Sequence, residues 1–316
     1  MPGTEDSDAE PGRPRGVGIA ALSVVLLAAL CCPDTSKADP QATSRPPETV
    51  PIPPVPQIDP GQGQAPLERR VEAFVRAITR NPGLSNDDPP VRWNTPICLL
   101  VLGLSAENVK FVSDRLSQMG ASAGAPLAQA PCQPNFIVVA TSEPDRVLNA
   151  WYAKDKQLFG DATSAQIRQF LETSRSQAVR VWYNIDTGRK SGTHNGHFVP
   201  SNQRAESSVF VGSAAFNFFS IFAIIDTHRT EHIALDQLAD YVCMTGLTDV
   251  NLEADLEADF ANAPSVLHLF APSGEGQPSG LSRWDAAFLK AVYHSNQTSR
   301  TRRFEITERV IHDLSR

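Results

Sequence analysis

The sequence predicts an α+β fold: a mixed twisted sheet with helices packed on it. Three observations carry this. Apolar runs of strand length alternate with helical patterns as far as residue 226; the remainder is almost wholly helical or loop; and no internal repeat appears. A chain of 316 residues has room for this in one large domain, predicted over residues 66–316.

Residues 1–38 read as a targeting segment rather than as fold. Arg13 and Arg15 precede an apolar run at 17–32, and Ser36-Lys37-Ala38 places small residues where a signal peptidase reads. The run is short of the roughly 20 apolar residues of a spanning helix. Cleavage is therefore expected after Ala38, with an uncleaved anchor as the alternative. The acidic leader Glu5, Asp6, Asp8 and Glu10 is unusual for a signal. Cys31 and Cys32 suggest lipidation, but Leu30 stands where attachment needs Gly, Ala or Ser. Residues 39–65, with Pro47, Pro51, Pro53, Pro54, Pro56 and Pro60, read as a disordered tether.

Within the domain, Val71, Phe74, Val75 and Ile78 recur at helical spacing, and Asn81-Pro82-Gly83 should end that helix. Residues 97–102 form an apolar run, a buried strand. Ser105 opens a helix with Val109, Val112, Leu116 and Met119 on one face. A strand at 136–140, a helix with Val147, Leu148, Trp151 and Tyr152, a short helix with Ile167, Phe170 and Leu171, and a strand at 178–183 follow. Residues 187–207 read as a long polar loop, then 209–211 and 218–226 as strands. A helix runs from about Ile233 to Thr245 with Gly246 as its C-cap, an acidic stretch occupies 251–259, and helices occupy 284–294 and about 304–314.

The formal charge of −7 leaves no basic surplus for phosphates, which argues against nucleic-acid binding. No serine elbow, Walker loop or dinucleotide fingerprint is present, and Trp93, Trp151, Trp182 and Trp284 read as core. Cys98 and Cys132, each placed at the start of a predicted strand, are the disulfide candidate for an oxidising compartment; Cys243 is left over.

Three stretches of the last third stand in a suggestive register. They are Ala239 to Asp249 around Gly246, Ser265-Val266-Leu267, and Leu281-Ser282-x-x-Asp285 followed by Val292-Tyr293. Here the chain resembles the metzincin zinc proteases, matrixins in particular, over residues 215–295. That family has His-Glu-x-x-His-x-x-Gly-x-x-His, a Ser-x-Met turn, and a last helix reading Leu-Ser-x-x-Asp and later Leu-Tyr. It is similar too to exported proteobacterial proteins whose corresponding helix has lost its histidines. The resemblance implies a zincin-like C-terminal part, with a sheet above an active-site helix and a cleft. It puts Ala239 and Cys243 at the first two ligands, Asp240 at the base and Asp249 at the third ligand. Alanine cannot ligate, and zinc needs three protein ligands with an open position. Two of the stretches also have an ordinary reading: Leu235, Leu238, Val242 and Thr245 suit any core helix, and Ser282 with Asp285 makes a capping box.

The expected function is therefore non-catalytic: an exported pseudo-metalloprotease, periplasmic or envelope-associated, without cofactor. It would bind an envelope protein or peptide through a cleft lined by Ala239, Asp240, Cys243 and Asp249. The membrane would be touched only through the N-terminal signal or anchor. A scaffold in which the cleft plays no part is a further option. The enzymatic alternative is a zinc hydrolase using His228, Glu231 and His232, which match the inverted motif H-x-x-E-H but sit at a strand-to-helix turn. His194 and His197 could clip a surface metal in the long loop.

Overall fold

The computed structural model describes residues 66–79, 90–186, 194–195, 217–252, 263–271, 278–296 and 302–316. The expected signal peptide, the proline-rich tether, the 209–211 strand, His197 and most of the acidic stretch lie outside these residues.

Helix α1 (Leu67–Ile78) buries Val71, Phe74, Val75 and Ile78, the predicted face. It ends before the Asn-Pro-Gly signal, where Thr79 turns extended and bridges Val250, while its amide and hydroxyl still bond the Val75 carbonyl. Strand β1 (Arg92–Trp93) has no counterpart in the sequence reading. Strand β2 (Leu99–Leu102) leads through Ser105, whose hydroxyl caps Asn108 N, into α2 (Ala106–Ala123). Gly124 closes α2 at φ 85°, a left-handed position suited to glycine. Then come β3 (Phe136–Thr141), α3 (Pro144–Lys154), α4 (Ser164–Thr173) with its Thr163/Gln166 capping box, and β4 (Val179–Asp186). The polar stretch predicted as loop contains a two-residue strand, β5 (His194–Asn195), held by antiparallel pairing to Asn184 and Ile185. Strand β6 (Asn217–Asp226) precedes α5 (Leu235–Leu247), the 3-10 turn Val266–Phe270, α6 (Arg283–His294) and α7 (Arg302–Leu314).

The sheet runs β2-β3-β6-β4-β5, with β1 also pairing β6. Strands β1, β2, β3 and β6 pair in parallel; β4 runs antiparallel to β6. This is a mixed sheet with parallel pairing predominant, consistent with the α+β class. Strand alternation divides the core in two. Ile221, Ala223 and Ile225 of β6, with Val181 and Tyr183 of β4, face a core built with α1, α2, α5, α6 and α7. Phe222 and Ile224, with Trp182 and Val139, face an aromatic layer under α3 and α4. Among the described residues no helix is long and apolar enough to cross a membrane.

Candidate functional site

Helix α5 starts where Gln237 accepts from Ala234 N and Asp236 sits in the first turn, favourable at the positive end of a helix. Every residue from Leu238 to Leu247 is buried, because α5 is enclosed between the sheet and α2 and α6. A buried helix end must find partners for its last carbonyls. Three aromatic donors from separate elements provide them: Tyr183 Oη donates to Thr245 O (2.7 Å), Trp93 Nε1 to Gly246 O (2.8 Å) and Tyr293 Oη to Leu247 O (2.6 Å). Burial pushes the Tyr293 hydroxyl well above its ordinary range, so it stays a donor.

Gly246 corrects an expectation. It lies inside α5, not at its C-cap, and Thr248 follows the helix. Its requirement is space: an added Cβ would stand 2.1 Å from the Phe136 ring.

Asp240 is 1% exposed and fully engaged. Arg115 of α2 donates to both its oxygens, from Nε to Oδ1 at 2.7 Å and from Nη2 to Oδ2 at 2.8 Å. Leu281 N donates to Oδ2 at 2.8 Å. Gly280, at φ 146°, admits this approach, since a Cβ there would lie 2.6 Å from Oδ2. The bidentate fork is the strong form of this contact, and it holds the Arg115 guanidinium above its ordinary pKa. Arg115 was missed by the sequence reading; no local motif marks it.

Cys243 lies in the core, and burial, helped by the Asp240 carboxylate and opposed by Arg115, pushes its thiol well above the usual range. Ala239 and Asp249 are equally buried, and Asp249 N donates to Val91 O. The four residues expected to line a cleft are thus packed inside the fold, not presented to solvent: Ala239, Asp240 and Cys243 lie on the enclosed α5, and Asp249 just beyond its end.

The other two stretches do meet. Asp285, completely buried, accepts from Ser265 Oγ (2.6 Å), Val266 N (2.9 Å) and Ser282 N (2.9 Å), while Ser282 Oγ caps Asp285 N. The capping box is real, and its acid also clasps the turn that carries Ser265 and Val266. Burial raises the Asp285 pKa; these donors work against the rise.

As a zinc site the set does not fit. Ala239 offers no donor, both Asp240 oxygens are held by Arg115 and Leu281, and Cys243 is packed in the core. His228, Glu231 and His232 lie on an exposed turn after β6, where His228 N bonds Asp226 Oδ1. The helix that would put both histidines on one face is absent there. Glu231 and His232 stand 3.9 Å apart with side chains 70% exposed. His194 sits in β5. Among the described residues no group of three His, Cys, Asp or Glu gathers in a metal-holding arrangement.

Cys98 and Cys132 are joined as a disulfide. Cys98 directly precedes β2, but Cys132 lies in the loop before β3, not at a strand start. Comparison of the chain with protein-family models, curated proteins and solved structures finds no match.

Proposed function

We propose that the chain is an exported, non-catalytic pseudo-metalloprotease: a metzincin-derived scaffold that acts by binding an envelope protein or peptide. One observation carries the non-catalytic reading. Asp240, which the resemblance puts at the general base, is held by three hydrogen bonds in the core, where it does not meet a substrate. The metzincin reading is supported by the meeting of three stretches that are distant in sequence. Asp240 bonds Leu281, Asp285 clasps Ser265 and Val266, and Tyr293 bonds the end of α5. The sheet over α5 is also in keeping with it. Export is supported by the apolar run at 17–32 and by the disulfide, which suits an oxidising compartment.

The test measures bound metal in the purified full chain by mass spectrometry, before and after zinc incubation, alongside hydrolysis of a mixed peptide library. No stoichiometric zinc and no hydrolysis are expected. Near-stoichiometric zinc, lost together with hydrolysis in His232→Ala, would overturn the proposal in favour of a zinc hydrolase.

A further inference from the structure

The Cys98–Cys132 disulfide encloses a segment containing all of β2 and α2, with a sequence separation of 34. Arg115 lies midway between the two cysteines. The same segment is therefore held covalently at its ends and electrostatically at its middle, where Arg115 grips Asp240. Two constraints on one loop reinforce each other: closing the ends leaves less chain entropy to lose when the middle docks. The disulfide is also reachable, since Cys132 is exposed while Cys98 is buried.

The remaining ties are uneven. Asn135 and Phe136 bond Cys98, but these contacts belong to the start of the β2–β3 pairing and hold the sheet. On the α2 side, Ile97 N donates to Pro126 O and Ala128 N to Ile97 O, and Leu127 reaches Gly120 near Leu247 of α5. With the disulfide cut, those two bonds, the Arg115–Asp240 fork and the apolar face of α2 are left to hold it, and the fork has lost the closed loop that carried Arg115. That face is Val112, Leu116, Gly120 and Ala123.

The geometry points to a redox-controlled clasp: the disulfide keeps α2 docked on α5, and its reduction loosens α2, releases Arg115 from Asp240 and opens a path to Cys243. The reductant is a dithiol. Its thiolate attacks Cys132 Sγ, the S–S bond breaks, and Cys98 leaves as a thiolate that takes up a proton. The second thiol of the reagent then displaces Cys132, so two electrons pass and the reagent ends as a disulfide. The clasp does not depend on whether the site descends from a zinc protease, and its failure would leave the metal and hydrolysis test untouched.

The experiment compares the full chain, oxidised and after dithiothreitol treatment, by hydrogen exchange and by alkylation with N-ethylmaleimide, each read at the level of peptides. Reduction should speed exchange of residues 106–123 by about tenfold or more relative to residues 283–294. It should also make Cys243 alkylatable while far-ultraviolet circular dichroism stays unchanged. The Cys98→Ser/Cys132→Ser double variant should behave like the reduced protein without reductant. Unchanged exchange over 106–123 with Cys243 still protected after full reduction would overturn the clasp. So would general loss of secondary structure, which would make the disulfide a support of the whole fold.

Discussion

The two faces of the sheet are stabilised in different ways. Under α3 and α4 the core is an aromatic layer, in which Phe222 makes edge-to-face contacts with Trp151 and Phe159 and stacks with Trp182. Beneath the opposite face, around α5 and α6, Asp240 and Asp285 are buried deep inside, and each is met by several donors, some of them from distant parts of the chain. Apolar packing tolerates exchange of one shape for a similar one. Buried charge does not, because removing one partner strands the others without water. The carboxylates of the α5 face therefore specify their neighbours residue by residue, whereas the ring layer of the aromatic face asks mainly for volume; the polar members of that face include Arg180, which donates to Asp145 Oδ1 and Arg175 O, and Asn184, which accepts from Trp182 Nε1.

The hardest test of this contrast is Asp285→Ala, which leaves Ser265 Oγ, Val266 N and Ser282 N without their acceptor. A loss of about 3–5 kcal/mol is expected in denaturant unfolding, and a loss under about 1 would erase the distinction. Next is Asp240→Ala. Because the Arg115 side chain is 33% exposed and regains water, the expected loss is smaller, about 2–3 kcal/mol. On the aromatic face, Phe222→Leu should cost under about 1.5 kcal/mol; a cost equal to that of Asp285→Ala would show that both faces are equally exacting.

A pH series sharpens the comparison further. Burial raises the Asp285 pKa, so the native state keeps this proton to higher pH than the unfolded chain. Between the two values the native state binds more protons, and stability falls as pH rises. The wild type should therefore lose stability relative to Asp285→Asn from about pH 4 upward, by at most about 1.4 kcal/mol per pH unit, levelling off above the folded value. Parallel curves would remove the buried-charge account. The smallest effect is expected at the exposed Lys110–Asp114 pair, with side chains 76% and 64% exposed. There Asp114→Ala should change stability by less than about 0.5 kcal/mol.

This division also explains what could be read from the chain. The helices announced themselves through periodicity, and α2 and α6 through the caps Ser105 and Ser282, because such signals are local. The apolar runs of β2, β3, β4 and β6 were equally plain. Strands β1 and β5 were not: two residues carry no period, and each exists only through its pairing with β6 or β4. Asp240 stands out in the sequence only as a cleft residue; its partner Arg115 lies 125 residues earlier, and no spacing rule links them. Gly246 looked like a helix end because glycine commonly plays that part; the nearby Phe136 ring, invisible in one dimension, gives the actual reason.

Strand β6 bears on how the chain folds as it is made. It is the hub of the sheet, pairing β1, β3 and β4, and its register with β3 joins Phe136 to Ile221 and Thr141 to Asp226. Contacts so far apart close slowly, and the central pairing has no second strand until residue 226 has left the ribosome. From the completion of β3 at Thr141 until Asp226 has been made, the apolar β2–β3 pair therefore lacks the strand that joins it to the rest of the sheet, and a holding chaperone has that interval in which to take it.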